Sequence, residues 1–183
     1  MSARVERFDA TRRDDFYAVH CEANGEGWCN CVAWWVPTWD GWGERTAGEN
    51  RALRDRLCDQ GQYDGYLLYV DDAPAGWCQV GPRDRLQKLC SQFAREPDPE
   101  VWAITCFTIA PPHRRQGLAG FMLSEVLDDL RTRGVKSVEA FPKRGEDLQA
   151  GHLWTGPEAM YRRVGFTESE DPSAPFVLRL ELF

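Results

Sequence analysis

No stretch of this 183-residue chain approaches the ~18 consecutive apolar residues of a membrane span, so no membrane-spanning helix is expected. Positive charge is the minority sign: 22 Lys and Arg stand against 29 Asp and Glu, a net charge of −7. That balance argues against general nucleic-acid binding and against docking on anionic lipid. The opening residues, MSARVERFDATRRDD, lack the apolar core of a secretory leader, and the expected location is the cytoplasm. Without an export signal, the seven cysteines are expected to be reduced. There is no internal repeat, low-complexity tract or linker, and one domain over residues 1–183 is expected.

Hydrophobic residues make up 43% and charged residues 28%, which fits a globular chain and not a disordered one. Tryptophan is unevenly placed. Trp28, Trp34, Trp35, Trp39 and Trp42 share one short stretch, within a Gly-containing segment at about 22–48 that reads as a loop with short helical pieces. A long aromatic loop in a compact domain is usually functional. Charge is uneven as well. Residues 113–144 carry 7 basic and 4 acidic side chains, while the segments on either side are net acidic. The basic segment is therefore where an anionic ligand is sought.

Along the chain, residues 4–8 read as a short strand, and Thr11 with Asp14 has capping-box spacing before a helix whose face is Phe16, Val19 and His20. Asn50 is placed to cap a second helix that ends at Gly61. Tyr66–Val70 and Gly76–Val80 form a hairpin about a turn at 71–74. Residues 83–100 read as a connection with one helical turn. Val101–Ile109 is an apolar, β-branched and aromatic run, expected to be a central strand buried on both faces. After Gly117, the repeat of Leu118, Met122, Val126 and Leu130 marks the clearest helix, stopped at Gly134. A strand at 135–141, a short helix at 158–164 and closing strands at 166–168 and 176–182 complete the pattern.

The chemistry concentrates at His113-Arg114-Arg115-Gln116-Gly117-Leu118-Ala119-Gly120, between the central strand and that helix. A strand running through glycines into a helix start presents free backbone N–H groups and the positive end of the helix dipole. Gly117 and Gly120 permit close approach, and Arg114 and Arg115 add charge. The physics points to a pyrophosphate. Neither the P-loop nor the dinucleotide fingerprint is present.

Arg114-Arg115-Gln116-Gly117-Leu118-Ala119 resembles the Arg/Gln-x-x-Gly-x-Gly/Ala signature of the GCN5-related N-acetyltransferases, the GNAT family. Tyr161-Arg162-Arg163-Val164-Gly165-Phe166 resembles that family's C-terminal Tyr-x-x-x-Gly-Phe element. The resemblance covers roughly residues 66–182. It implies an α/β fold: a twisted mixed sheet flanked by helices, splayed at its central fourth strand, with acetyl-CoA as co-substrate in the gap. The acetyl-CoA-binding core would lie at about 101–134 and the acceptor-side loop at 22–48. The pantetheine arm would pair with Phe107, Thr108 and Ile109, and the pyrophosphate would sit on backbone N–H groups of residues 115–120. Gly120 stands where the family often has Arg or Lys, and Trp154 where an Asn is common.

The resemblance implies acetyl transfer to the primary amine of a small molecule or peptide, with Tyr161 as general acid. No carboxylate lies between Val101 and Ile109, so the general base is sought at Glu139, Glu100 or Glu26, or in a water chain. The Trp-rich segment is expected either to wall the acceptor site, where aromatic faces suit a cationic amine, or to form a satellite core. Cys29-x-Cys31, with His20 and Cys21 nearby, has soft-metal ligand types but no second ligand pair at recognised spacing, so no metal is expected. A non-catalytic acyl-CoA-binding module and a cysteine-based metal or redox protein remain open alternatives. Monomer and homodimer are both compatible with the sequence.

Overall fold

The computed structural model describes residues 2–24, 27–145, 153–169 and 175–183. Its organising element is β4 (Val101–Ile109), in which every residue is buried except the half-buried Thr108. An unbroken apolar run produces such a strand when both sheet faces are covered. On one side of β4, β3 (Ala73–Pro82), β2 (Tyr66–Val70) and β1 (Ala3–Arg7) follow in antiparallel order. On the other side lie β5 (Ser137–Ala140), parallel to β4, then β7 (Leu178–Glu181) and β6 (Thr167–Glu168). This is the mixed α/β sheet expected from the sequence, with order β1-β2-β3-β4-β5-β7-β6.

Parallel pairing of β4 with β5 requires a crossover, which α4 (Leu118–Thr132) supplies. Its buried stripe is Leu118, Met122, Leu123, Val126, Leu127 and Leu130, packed on one sheet face with Met160 and Tyr161 of α5 (Glu158–Arg163). The opposite face is covered by α1 (Arg13–Asn24) and α2 (Ala47–Asp59), whose Phe16, Val19 and Leu57 pack with Leu67, Trp77 and Cys106. Leu89 of α3 (Gln87–Gln92) packs there too, with Trp34, Ala103 and Phe141. No helix among the described residues is long and apolar enough to cross a membrane.

Several local expectations are corrected. Asp9, not Thr11, caps the chain into α1: its carboxylate accepts from the Thr11 N–H at 2.8 Å, and a short 3-10 turn precedes the helix. Thr46, not Asn50, caps α2, in a full capping box with Glu49. Asn50 is instead buried inside the helix. Its amide donates to the Trp28 carbonyl at 2.9 Å and accepts from Arg45 Nε at 2.6 Å, tying the Trp-rich loop to α2. The hairpin turn is only Asp71-Asp72, both at positive φ as a two-residue primed turn requires, and Ala73-Pro74 already belong to β3. The 22–48 segment is shorter as a loop than expected, because α1 runs through Asn24 and α2 begins at Ala47.

The sheet opens at one place. β5 pairs with β4 only from Val101↔Ser137 to Ile104↔Ala140. Two sequence features end the pairing there. Thr105 is an extra residue in β4, lying between Ile104, opposite Val80, and Cys106, opposite Gln79. Such a bulge bends its strand and ends regular pairing. Beyond Ala140, Phe141 leads into Pro142, which has no N–H for a ladder. Past Ile104, β4 therefore faces a gap on the β5 side.

Candidate active site

The gap has a polar floor set by strand alternation. The Ala110 N–H donates to the Ala75 carbonyl at 2.8 Å, so Ala110, Thr108 and Cys106 turn their backbones toward β3. Phe107 and Ile109 turn theirs toward the gap. Of the three strand residues expected to meet pantetheine, Thr108 thus spends its backbone on Trp77. The Phe107 N–H donates to the Trp154 carbonyl at 2.7 Å, and the Ile109 carbonyl accepts from Arg114 Nε at 2.7 Å.

One end of the gap leads to the start of α4. Arg115 and Gly117 both have positive φ, 61° and 79°, and they turn the chain sharply into the helix. Gly117 caps α4 without any side-chain hydrogen bond, and the first turn contains no acidic residue. The N–H groups of Leu118, Ala119 and Gly120 have no carbonyl one turn earlier to bond. A Cβ placed on Gly117 or Gly120 would meet nothing within 4 Å, so the approach is open. Arg114 and Gln116 fold back onto the preceding turn, Gln116 Nε2 donating to the Pro112 carbonyl at 3.0 Å. The Arg115 side chain is exposed, and among the described residues no hydrogen bond or ion pair engages it. The residues present fit a pyrophosphate: open space, unpaired N–H groups, a positive helix end and one unengaged guanidinium.

At the other end stands Tyr161, fully buried. Its hydroxyl donates to the Thr155 carbonyl at 2.6 Å, and burial pushes its pKa well above the ordinary tyrosine value. Gly156, at φ 83°, lets the 154–156 turn lie on the ring, since a Cβ there would sit 2.6 Å from the hydroxyl. The Tyr-x-x-x-Gly-Phe pattern now has a physical reading. The Gly165 N–H bonds the Arg162 carbonyl and the Phe166 N–H bonds the Tyr161 carbonyl, which together close α5 as a Schellman motif. Its hydrophobic contact is Phe166 against Tyr161, with ring centroids 5.3 Å apart. The motif fixes the tyrosine by ending the helix at a set distance.

The candidate bases fare differently. Glu139 is buried on β5, but not beside Tyr161. Strand alternation puts it on the opposite sheet face, where Arg83 Nη1 donates to it at 2.8 Å and Arg179 and Arg95 lie at 3.6 and 3.8 Å. The expectation of a free base there is not met, because three guanidinium groups hold the carboxylate as a counter-ion. Glu100 is paired with Lys136 at the opposite end of β4. Glu26 lies outside the described residues.

A groove of about 460 Å³ opens beside the Trp154–Thr155 turn, lined by Trp34, Trp39, Phe93, Phe141, Trp154 and Phe176, with Lys143 and Arg144 at the rim. The Trp-rich loop is thus both wall and satellite core: Trp34 faces the groove, while Trp28 packs on Trp42 and Trp35 on Tyr63. One cation of the protein itself already lies against these rings. Lys88 Nζ lies 3.5 Å from the Trp39 ring centroid and 5.7 Å from those of Trp34 and Trp42. Burial pushes its ammonium pKa down to about 8, opposed by the Cys29 sulfur. Lys88, Phe93 and Gln92 come from the segment that reads in the sequence as a connection with one helical turn. Only the Leu86, Leu89 and Phe93 spacing signals that it packs at all.

A family model described as the acetyltransferase (GNAT) family matches residues 28–166. A search of the curated proteins returns no match. Among solved structures the chain is similar to a GNAT-family protein from Desulfovibrio desulfuricans (TM-score 0.60, 20% identity, 100% of each chain covered). It is also similar to the ribosomal-protein-S18-alanine N-acetyltransferase from Escherichia coli (0.58, 14%, 99% of this chain and 94% of that one). A third is a GNAT-family acetyltransferase from Brucella melitensis in complex with acetyl-CoA (0.54, 13%, 98% and 88%). These likenesses concern the fold, whereas the family match takes in β4, the Arg114–Gly120 turn, α4 and the Tyr161 element together. On that span, the chain belongs to the GNAT acetyltransferase family.

Proposed function

We propose that the protein transfers the acetyl group of acetyl-CoA to a primary amine of a small molecule or peptide, by direct attack within the gap between β4 and β5. The observation that carries this reading is the joining of that gap, at one end, to the uncapped start of α4 and, at the other, to the Trp154–Thr155 turn, whose carbonyls accept from the Phe107 N–H and the Tyr161 hydroxyl. The pyrophosphate would rest on N–H groups at 115–120, with Arg115 supplying charge. Pantetheine would run along β4 at Phe107 and Ile109, taking over the contact that Trp154 makes with the Phe107 N–H. The Ile109 N–H is placed to polarise the thioester carbonyl.

The acceptor would enter by the aromatic groove. Its walls suit an amine with an apolar or aromatic body. Selection of a cation does not follow from the tryptophans, because Lys88 already occupies their faces. The attacking amine must be neutral. No described residue lining the groove is acidic, so we assign its proton to solvent water. Tyr161 would then protonate the departing coenzyme A thiolate.

Gly120→Glu tests the placement without straining the backbone. Gly120 is exposed, has open space at its Cβ and lies in the first turn of α4. A carboxylate there favours the helix by ~0.3–1 kcal/mol, so the fold is retained. Beside a pyrophosphate the same charge costs on the order of 1 kcal/mol or more, and acetyl-CoA should bind at least about fivefold more weakly. Calorimetric titration reads this directly. Equal affinities in the variant and the unaltered protein would place the pyrophosphate elsewhere.

A further inference from the structure

Beneath the bulge of β4, on the face away from α4, the fold gathers groups that acetyl transfer does not use. His20 of α1, Cys31 of the Trp-rich loop and Cys106 of β4 are all buried, and their donor atoms lie within 4.8 Å of one another. His20 Nε2 is 2.9 Å from Cys31 Sγ, and Cys31 Sγ is 2.9 Å from Cys106 Sγ. Cys29 is two residues from Cys31 in the same turn and lies outside this group of three. The αL conformations of Asn30 and Cys31 fold the Cys-x-Cys turn toward the cluster.

We propose that His20, Cys31 and Cys106 form a binding site for one zinc ion, with Cys29 closing in from the same turn as the fourth ligand. The ligand types are those of a closed Cys₃His site, and the absence of oxygen donors from the set disfavours magnesium and calcium. The histidine is oriented for the task. Its Nδ1 contacts the Phe16 carbonyl at 3.0 Å, and a carbonyl can only accept. Nδ1 therefore carries the hydrogen, and the neutral ring presents the Nε2 lone pair to the sulfurs.

An independent observation concerns charge. Zinc with three thiolates and a neutral imidazole carries a net charge of −1. Arg54 is fully buried, and its Nε and Nη2 have no hydrogen-bond partner. Its Cζ lies 3.5 Å from the centroid of Phe16, the ring on which His20 stacks at 3.9 Å. The nearest carboxylate in contact is Asp55, at 3.9 Å. Lys88 is buried and also without a hydrogen-bond partner at Nζ. Aromatic rings contact both cations, and Arg54 Nη1 also donates to Cys58 Sγ at 3.3 Å, but neither cation has a hydrogen-bonded carboxylate, and a buried cation is costly unless it faces negative charge. An anionic zinc–thiolate centre supplies it. On binding, the three thiols release their protons to solvent, and no oxidation state changes.

The pattern in the sequence is incomplete because Cys106 lies 75 residues from Cys31. Cys21, also a sequence candidate, is exposed and is given no part in the site. The site pins the Trp-rich loop to α1 and to β4, one residue from Phe107.

The test is metal analysis of the full chain purified without added metal or chelator. Zinc at one equivalent per chain is expected in the unaltered protein and in Cys21→Ser, and at least about tenfold less in Cys31→Ser and Cys106→Ser. Because those variants can fail to fold, a second measurement uses the unaltered sequence. Replacement of zinc by cobalt(II) should give a thiolate-to-cobalt charge-transfer band and the strong visible absorption of a tetrahedral centre. Protein that carries no zinc and takes up neither ion on titration overturns the proposal, as does zinc retained in both Cys31→Ser and Cys106→Ser. A metal-free disulfide between Cys31 and Cys106 overturns it as well. Acetyl-CoA titration of the same samples keeps this result separate from the acetyl-transfer reading.

Discussion

Tyr161→Phe is expected to lower kcat by ~10²–10⁴ while leaving acetyl-CoA affinity within a few-fold. A thiolate leaving in a partly desolvated cleft is costly until protonated, and the Tyr161 hydroxyl is the donor that we propose for it. Burial raises its pKa, so the phenol keeps its proton throughout the neutral and mildly alkaline range. No alkaline loss of rate below its raised pKa should trace to this residue. The substitution retains the ring and its contact with Phe166, and the helix-closing motif survives. It does remove the donor to the buried Thr155 carbonyl, at a cost of ~1–3 kcal/mol. Turnover should therefore be measured well below the melting temperature. Wild-type turnover on the true acceptor would make Tyr161 a packing residue and leave the thiolate to take its proton from water.

The second large effect is on stability. Glu139→Gln removes the carboxylate on which Arg83, Arg95 and Arg179 converge. Breaking a buried ion pair from one side leaves charge uncompensated and typically costs ~3–5 kcal/mol. For a chain of this size each kcal/mol moves the melting temperature by roughly 2–4 °C, so a fall of at least roughly 6 °C is expected. Below that transition, kcat should change only a few-fold, because Glu139 faces away from Tyr161. The opposite pattern, an unchanged melting temperature with a hundredfold loss of kcat, would restore Glu139 as the base.

Patterns that depend on local chain physics were legible in the sequence. The apolar run of β4, the fourfold repeat of α4 and the glycines at 117, 134 and 165 each state their own structure, and each is where it was expected. The acetyl-CoA signature is a turn followed by a helix start, so it also lies in adjacent residues. Caps were misplaced by a few positions because Asp9, Thr11, Thr46 and Asn50 all have suitable side chains, and tertiary contacts choose among them. Partnerships across the sheet were not legible. Nothing local shows that Arg83, Arg95 and Arg179 will surround Glu139, or that Lys88 will fill the tryptophan faces. The meeting of Cys106 with His20 and Cys31 depends in the same way on the packing of α1 against the sheet.

The central claim, that the gap between β4 and β5 performs acetyl transfer to an amine, is tested most directly by one assay. The unaltered protein is incubated with acetyl-CoA and a panel of amino acids, aromatic and aliphatic amines and peptides. Free coenzyme A thiol is followed against the mass of each amine. Thiol release is expected to depend on one class of amine, to be matched mole for mole by its N-acetyl product and to be suppressed in Tyr161→Phe. Tight acetyl-CoA binding with no amine-dependent thiol release across the panel would contradict it and point to an acyl-CoA-binding module.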